Sequence, residues 1–248
     1  MPLAKGKVSM PATIAPKNVS YKNGNKKIPT ALFLPTNGKS EKLVILAYGS
    51  DGLMDKWKAM LEAFARDLAQ AGIAAAIPDY FASTGTRAGD LNPKDFDRYA
   101  LQIMKGQDTW VATLKTGVRE LAQTAIVPGI QPARVGLLGF SLGGYLCAQA
   151  AAGIPAMVLF YTPIFLGLKI PDRLKTRVEM HYGNADWLTT PDRDGKGVQA
   201  ALQQAGATIT NLHLYDQATH GFAGTDLANT EAQKTSKERT VKFFAANL

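Results

Sequence analysis

Cysteine is nearly absent. Cys147 is the only one in 248 residues, which excludes an intrachain disulfide and any cysteine-based zinc cluster. Histidine is scarce too, present only as His181, His213 and His220. There is no H-E-x-x-H and no other metal signature, so neither metal nor cofactor is expected. No apolar run is long enough to span a bilayer. No basic stretch is interleaved with aromatics in the manner of a nucleic-acid surface. Membrane and nucleic acid are therefore not expected partners. Residues 1–16 lack the apolar stretch of a signal peptide. A cytoplasmic location is the expectation, and a periplasmic or secreted one would need a leader that has been removed. Gly38-Lys39-Ser40 has the ending of a phosphate-binding loop, but Phe33 stands where its first glycine is required.

The chain does have the composition of a globular protein, 46% apolar and 19% charged, and enough length for a sizeable core. Its net charge of +8 is unevenly placed, because residues 1–42 hold eight lysines against one acid, Glu41. The remainder is nearly neutral. A lysine-rich start of this kind is a solvated face or a region with affinity for anionic surfaces.

Residues 1–16 read as irregular, and residues 17–248 as one α/β domain without linker or repeat. Lys22-Asn23-Gly24-Asn25 carries the Asn-Gly hairpin signal between two short strands, 18–21 and 29–35. The continuous apolar run 43–48 predicts a strand buried on both faces. Trp57, Met60, Leu61, Phe64 and Leu68 recur at helical spacing, and Gly72 ends that helix. A strand follows over 73–78, then a long Ser/Thr/Gly-rich loop over 82–92. Asn92-Pro93 opens a helical stretch with a cap and a first-turn proline. Further elements are strand 134–140, helix 142–152, strands 156–161 and 177–182, helix 191–204, strand 208–215 and a helix from about 229. Alternation of this sort implies a mostly parallel sheet covered on both faces. Only residues 162–176 separate two of the strands, which leaves no room for a cap domain. That apolar segment either walls a pocket or packs on the sheet edge.

Between a strand and a helix stands Gly139-Phe140-Ser141-Leu142-Gly143, a G-x-S-x-G turn. Such a turn lifts the serine hydroxyl off the sheet and points a helix N-terminus at charge developing there. A serine needs a base. His181 lies inside a strand and His213 alternates with leucines, whereas His220 falls in the loop after the last strand, at the carboxyl edge of the sheet. His220 is therefore the expected base. The histidine needs an acid to orient it, and Asp186, just past a strand end, fits the order serine, acid, histidine, with Asp216 as the fallback. Asp192 and Asp194 flank a helix start beside Pro191 and suit that N-terminus instead. The backbone N–H groups of Leu142 and Ser50 are the expected oxyanion donors. Phe81, Phe165, Trp187 and Phe222 lie in nearby loops and offer apolar faces to an acyl or aryl group. An arginine such as Arg87, in the 82–92 loop, is expected to be able to intrude. Cys147 reads as a packed, inert thiol.

With these residues assembled, the chain resembles the dienelactone hydrolase family of α/β-hydrolases over residues 18–248. The resemblance rests on Gly52-Leu53, Pro78-Asp79-Tyr80-Phe81, the serine turn, the stretch from His181 through Asp186, and Ala218-Thr219-His220-Gly221-Phe222. It implies an α/β-hydrolase fold without a cap and a triad of Ser141, Asp186 and His220. Two departures stand out. The family carries cysteine as nucleophile with a glutamate near the oxyanion loop, where this chain has Ser141 and Gly49. The family's serine and arginine that hold a substrate carboxylate correspond here to Gly221 and Gly224. The resemblance thus implies a serine esterase acting on a small-molecule ester. A peptidase or amidase of the prolyl-oligopeptidase type, and a non-catalytic binding protein on the same fold, are the alternatives.

Overall fold

The computed structural model describes residues 14–91, 94–123, 126–127, 129–164, 168–224 and 230–248. These build one eight-stranded sheet in the order β1-β2-β4-β3-β5-β6-β7-β8. The strands are β1 (Lys17–Asn23), β2 (Lys26–Phe33), β3 (Leu43–Ala47), β4 (Ala74–Pro78), β5 (Val135–Phe140), β6 (Ala156–Phe160), β7 (Arg177–Gly183) and β8 (Thr208–Tyr215). The helices are α1 (Asp55–Gln70), α2 (Phe96–Gln123), α3 (Leu142–Gln149), α4 (Lys196–Gln204) and α5 (Thr230–Asn247). From β4 onward, in spatial order, all neighbours pair in parallel; β1 and β2 add an antiparallel margin. Among the described residues no separate cap covers the carboxyl edge.

Every residue of β3, β4, β5 and β6 is buried. This accounts for their unbroken apolar sequences, since a central parallel strand has helices on both faces. The chain steps one way from β3 to β4 and returns across β3 to β5. Right-handed crossovers then place α1 on one face and α2, α3 and α4 on the other. Contacts of α1 with α5, and of α2 with α3, agree with that division. The reversal puts the loops after β3 and β5 side by side, where open α/β sheets have a crevice.

Several expected boundaries move. The hairpin turns tightly on Gly24, at φ +56°, so Asn23 pairs with Lys26 and β2 begins earlier than the apolar pattern suggests. The helix expected over 142–152 ends at Gln149. The one expected over 191–204 is broken into a wide turn, Pro191–Gly195, followed by α4, with Thr190 Oγ1 accepting the Arg193 N–H. A short 3-10 turn, Tyr80–Ser83, takes up the start of the 82–92 loop. Asn92 and Pro93 lie outside the described residues, as do residues 1–13. Cys147 is fully buried, and burial pushes its thiol far above the ordinary range.

Packing between α3 and β3 leaves no space for side chains. A Cβ at Gly143 would overlap the carbonyl oxygens of Ala47 and Tyr48. Gly143→Ala should therefore destabilise the protein by about 3 kcal/mol, the upper end of ordinary overpacking costs. Gly72, at φ +83° but with open space around it, supplies the contrast. Gly72→Ala should cost only about 1 kcal/mol, the left-handed backbone penalty alone. Urea midpoints of the two variants check the difference.

Candidate active site

Ser141 sits at φ +51° and ψ −119°, a region that non-glycine residues rarely occupy. Its neighbours hold it there. The Ser141 N–H donates to the Phe160 carbonyl at 3.0 Å, and the Ser141 carbonyl accepts from Gly144 N–H at 2.9 Å and Tyr145 N–H at 3.2 Å. A Cβ at Gly139 would run into the backbone of Gly143 and Gly144, and one at Gly144 into Thr162. The three glycines thus let β5, α3 and β6 approach closely enough to hold the serine off the sheet. Leu142 opens α3, so its N–H has no acceptor within the helix.

His220 Nε2 lies 3.1 Å from Ser141 Oγ, and its Nδ1 lies 2.9 Å from Asp186 Oδ2. Asp186 is buried. Its Oδ1 accepts the N–H groups of Leu188 and Thr189, each at 2.9 Å, and its Oδ2 accepts the Thr189 hydroxyl at 2.6 Å. Burial works against its charge, but hydrogen bonds from His220 and Thr189 outweigh that and hold the carboxyl below the usual range. An ionised Asp186 requires a proton on His220 Nδ1. That leaves Nε2 free to accept from the serine hydroxyl. The fallback acid Asp216 is turned away and accepts from the Asn184 side chain at 2.7 Å.

Tyr161 packs its ring edge-on against His220, 4.9 Å between centroids, and against Phe222 at 5.5 Å. It too has a left-handed backbone, at φ +36°. Its N–H donates to the His181 carbonyl at 2.8 Å, which fixes the strained turn at the end of β6.

The loop after β3, Gly49-Ser50-Asp51-Gly52, is tied from three sides. Gly52 N–H reaches the Gly49 carbonyl at 3.1 Å, and Gly89 N–H the Asp51 carbonyl at 3.1 Å. Asp51 Oδ2 accepts from Trp57 Nε1 at 2.6 Å. Ser50 and Ser141 line one cavity of about 560 Å³, with walls from Trp57, Tyr99, Tyr161 and Ile164.

Two of the sequence-predicted pocket residues are elsewhere. Phe81 is buried among Tyr48, Tyr80 and Trp110, and Phe222 among Phe160, Tyr161 and Tyr215. Neither lines the cavity, because each ring gains more from full burial in a neighbouring aromatic cluster. Trp187 does line it. Phe165 lies outside the described residues, although Ile164, from the same apolar segment, is a wall. Among the described residues that line the cavity, the cation is Arg193, not Arg87. Its guanidinium is engaged by buried Asp194 at 2.7 Å and by the Leu188 carbonyl at 2.6 Å. Asp194 also accepts the Ile164 N–H at 2.9 Å, so it braces the pocket wall rather than a helix start. Among the described residues no group of three or more His, Cys, Asp or Glu could hold a metal.

A match to the family model described as the dienelactone hydrolase family extends over residues 28–248. The chain belongs to the dienelactone hydrolase family. Solved structures agree on the fold. A dienelactone hydrolase from Anabaena variabilis has a TM-score of 0.69 at 19% identity, covering 96% of this chain and 100% of that one. A putative dienelactone hydrolase from Klebsiella pneumoniae has a TM-score of 0.72 at 22% identity, over 94% and 99%. A thermophilic esterase from Thermogutta terrifontis has a TM-score of 0.67 at 16% identity, over 95% and 96%. Comparison by sequence with curated proteins returns no match. Membership of the dienelactone hydrolase family supports hydrolase activity. Beside the site, Gly221 and Gly224 are crowded by Trp57. A Cβ at Gly221 would come within 2.6 Å of the Trp57 ring, and one at Gly224 within 3.0 Å.

Behind the site, His181 is fully buried and bonded to Tyr215 Oη at 2.8 Å and Glu179 Oε1 at 3.1 Å. Burial pushes His181 down to about 4 from an ordinary 6.5. Glu179, despite burial, is held at about 2 against an ordinary 4.5 by its hydrogen bond from His181 and by the nearby His213 imidazole. In both cases the unfolded chain binds more protons than the native one as pH falls. Stability should therefore decline steadily from pH 6.5 through 4 toward 2. Urea unfolding across that range checks the sign, and His181→Phe should flatten the slope between pH 6.5 and 4.

Proposed function

We propose that this chain is a serine hydrolase that cleaves small, neutral carboxylic esters through an acyl-enzyme. The observation that carries the reading is the hydrogen-bonded line from Ser141 through His220 to Asp186, set on a strained turn at the sheet's carboxyl edge. Ser141 Oγ attacks the ester carbonyl carbon while His220 Nε2 takes the hydroxyl proton. The carbonyl oxygen becomes an oxyanion, received by the N–H groups of Leu142 and Ser50. As the tetrahedral adduct collapses, the C–O bond to the alcohol breaks and His220 returns the proton to the leaving oxygen. Water, deprotonated by the same nitrogen, then releases the acid and restores Ser141. Asp186 remains ionised throughout and stabilises the imidazolium.

Neutral substrates are favoured because the cavity offers an anion no free cation among the described residues that line it. Arg193 is paired with Asp194, Asp51 adds a carboxylate, and Trp57 closes the space beside Gly221 and Gly224.

A fluorophosphonate probe should label wild-type protein at Ser141 and leave Ser141→Ala unlabelled. Ser141→Ala should also abolish turnover of p-nitrophenyl esters while the melting curve stays in place. Substantial turnover in pure Ser141→Ala protein would remove the assignment. Asp186→Asn should lower kcat by up to about ten-thousand-fold through the wrong histidine tautomer, whereas Asp216→Asn should be nearly silent. For a short neutral ester and its carboxylate-bearing analogue, kcat/KM should favour the neutral one by about tenfold or more, the scale of one uncompensated charge near a surface. A higher value for the anion would overturn the charge argument.

A further inference from the structure

Phe96 and Trp187 expose 66% and 80% of their surfaces, yet both line the cavity that holds Ser141 and His220. Most of this chain's other aromatic rings are buried in its core. Leu188, beside Trp187, is 40% exposed on the same cavity. These side chains come from two distant segments, the first residue of α2 and the turn after β7. Neither turn needs an apolar residue there for its own hydrogen bonding. The Asp186 carboxylate fixes the second turn through the N–H groups of Leu188 and Thr189, and Trp187 stands between them and the acid in sequence. Its position is thereby coupled to the site.

We propose that Phe96, Trp187 and Leu188 grip an extended apolar group of the substrate, so that the preferred esters carry an alkyl or aryl substituent of medium length on one side of the ester bond. The reasoning rests on the esterase reading above and adds the substrate class. Ser141, Tyr161, Ile164 and Trp57 line the same cavity as these exposed residues. One ligand anchored at the serine and reaching them would remove apolar area from water. An acetyl ester of a short alcohol is too small to do so in a space of about 560 Å³. The charged groups among the described lining residues are already paired with one another or with indole and backbone N–H groups, so none of these charges is free to recognise a charged tail.

The test compares ethyl acetate, hexyl acetate and ethyl hexanoate by pH-stat. Burial of four added methylenes at about fourfold each predicts a kcat/KM advantage of order a hundredfold for at least one of the two longer esters. In Phe96→Ala/Trp187→Ala that ratio should fall to about fivefold or less, while Leu214→Ala, exposed on β8, should keep it. A wild-type ratio near one, or a ratio that survives in the double variant, overturns the proposal. Calorimetric binding of hexyl acetate and ethyl hexanoate to Ser141→Ala separates the two readings. If no ester is turned over, the esterase assignment fails. Binding of one long ester, lost on adding Phe96→Ala/Trp187→Ala, would still support the apolar grip, and absence of binding would end it.

Discussion

Gly143 brings the first turn of α3 against the ends of β3, close enough that the carbonyl oxygens of Ala47 and Tyr48 fill the place of a side chain. Much of the site depends on that approach. It sets the depth at which Ser141 sits, and it brings the Leu142 N–H toward the loop that carries Ser50. Were α3 an ångström farther from the sheet, the serine turn could relax from φ +51° toward an ordinary conformation. The hydroxyl would then drop toward the sheet and lose His220. Gly139 and Gly144 serve the same approach from the β5 and β6 sides.

Electrostatics set a second requirement. An isolated carboxylate as buried as Asp186 would take up a proton. Three donors from one short loop and a fourth from His220 keep it charged. Its charge selects the tautomer of His220, and that tautomer alone leaves Nε2 able to accept from serine. The imidazole is then held laterally by Tyr161, whose own backbone is strained and pinned to β7. Rigidity passes in this way from the sheet to His220 Nε2.

Most of the architecture was legible because its signals are local. A fully apolar β3, the Asn-Gly turn, Gly72 after α1 and the glycine-flanked serine each announce themselves within a few residues. Ser141, Asp186 and His220 were legible through their order and their places past strand ends. The cavity walls were not. Trp57 continues the apolar stripe of α1, and periodicity cannot say where the sheet beneath a helix stops and an open cleft begins. Phe81 and Phe222 sit in loops beside the site, but a loop sequence does not fix which way a ring turns, and nearby aromatic clusters captured both. Arg193 and Asp194 were read within a regular helix, whereas the wide turn at Pro191–Gly195 pairs them at the cavity.

The ring of Trp57 also constrains which neighbouring sequences are reachable. It fills the volume that side chains at positions 221 and 224 would need. Gly221, at φ +78°, further resists any side chain on its own account. A serine or arginine introduced there first would meet the indole and gain nothing. Shrinking Trp57 first would release Asp51 and loosen the loop that carries Ser50. Each single step is thus harmful alone, and only the combined change opens space there. Residues 57, 221 and 224 are coupled in this way, so the wall at this end of the pocket changes by a paired substitution rather than by a single one.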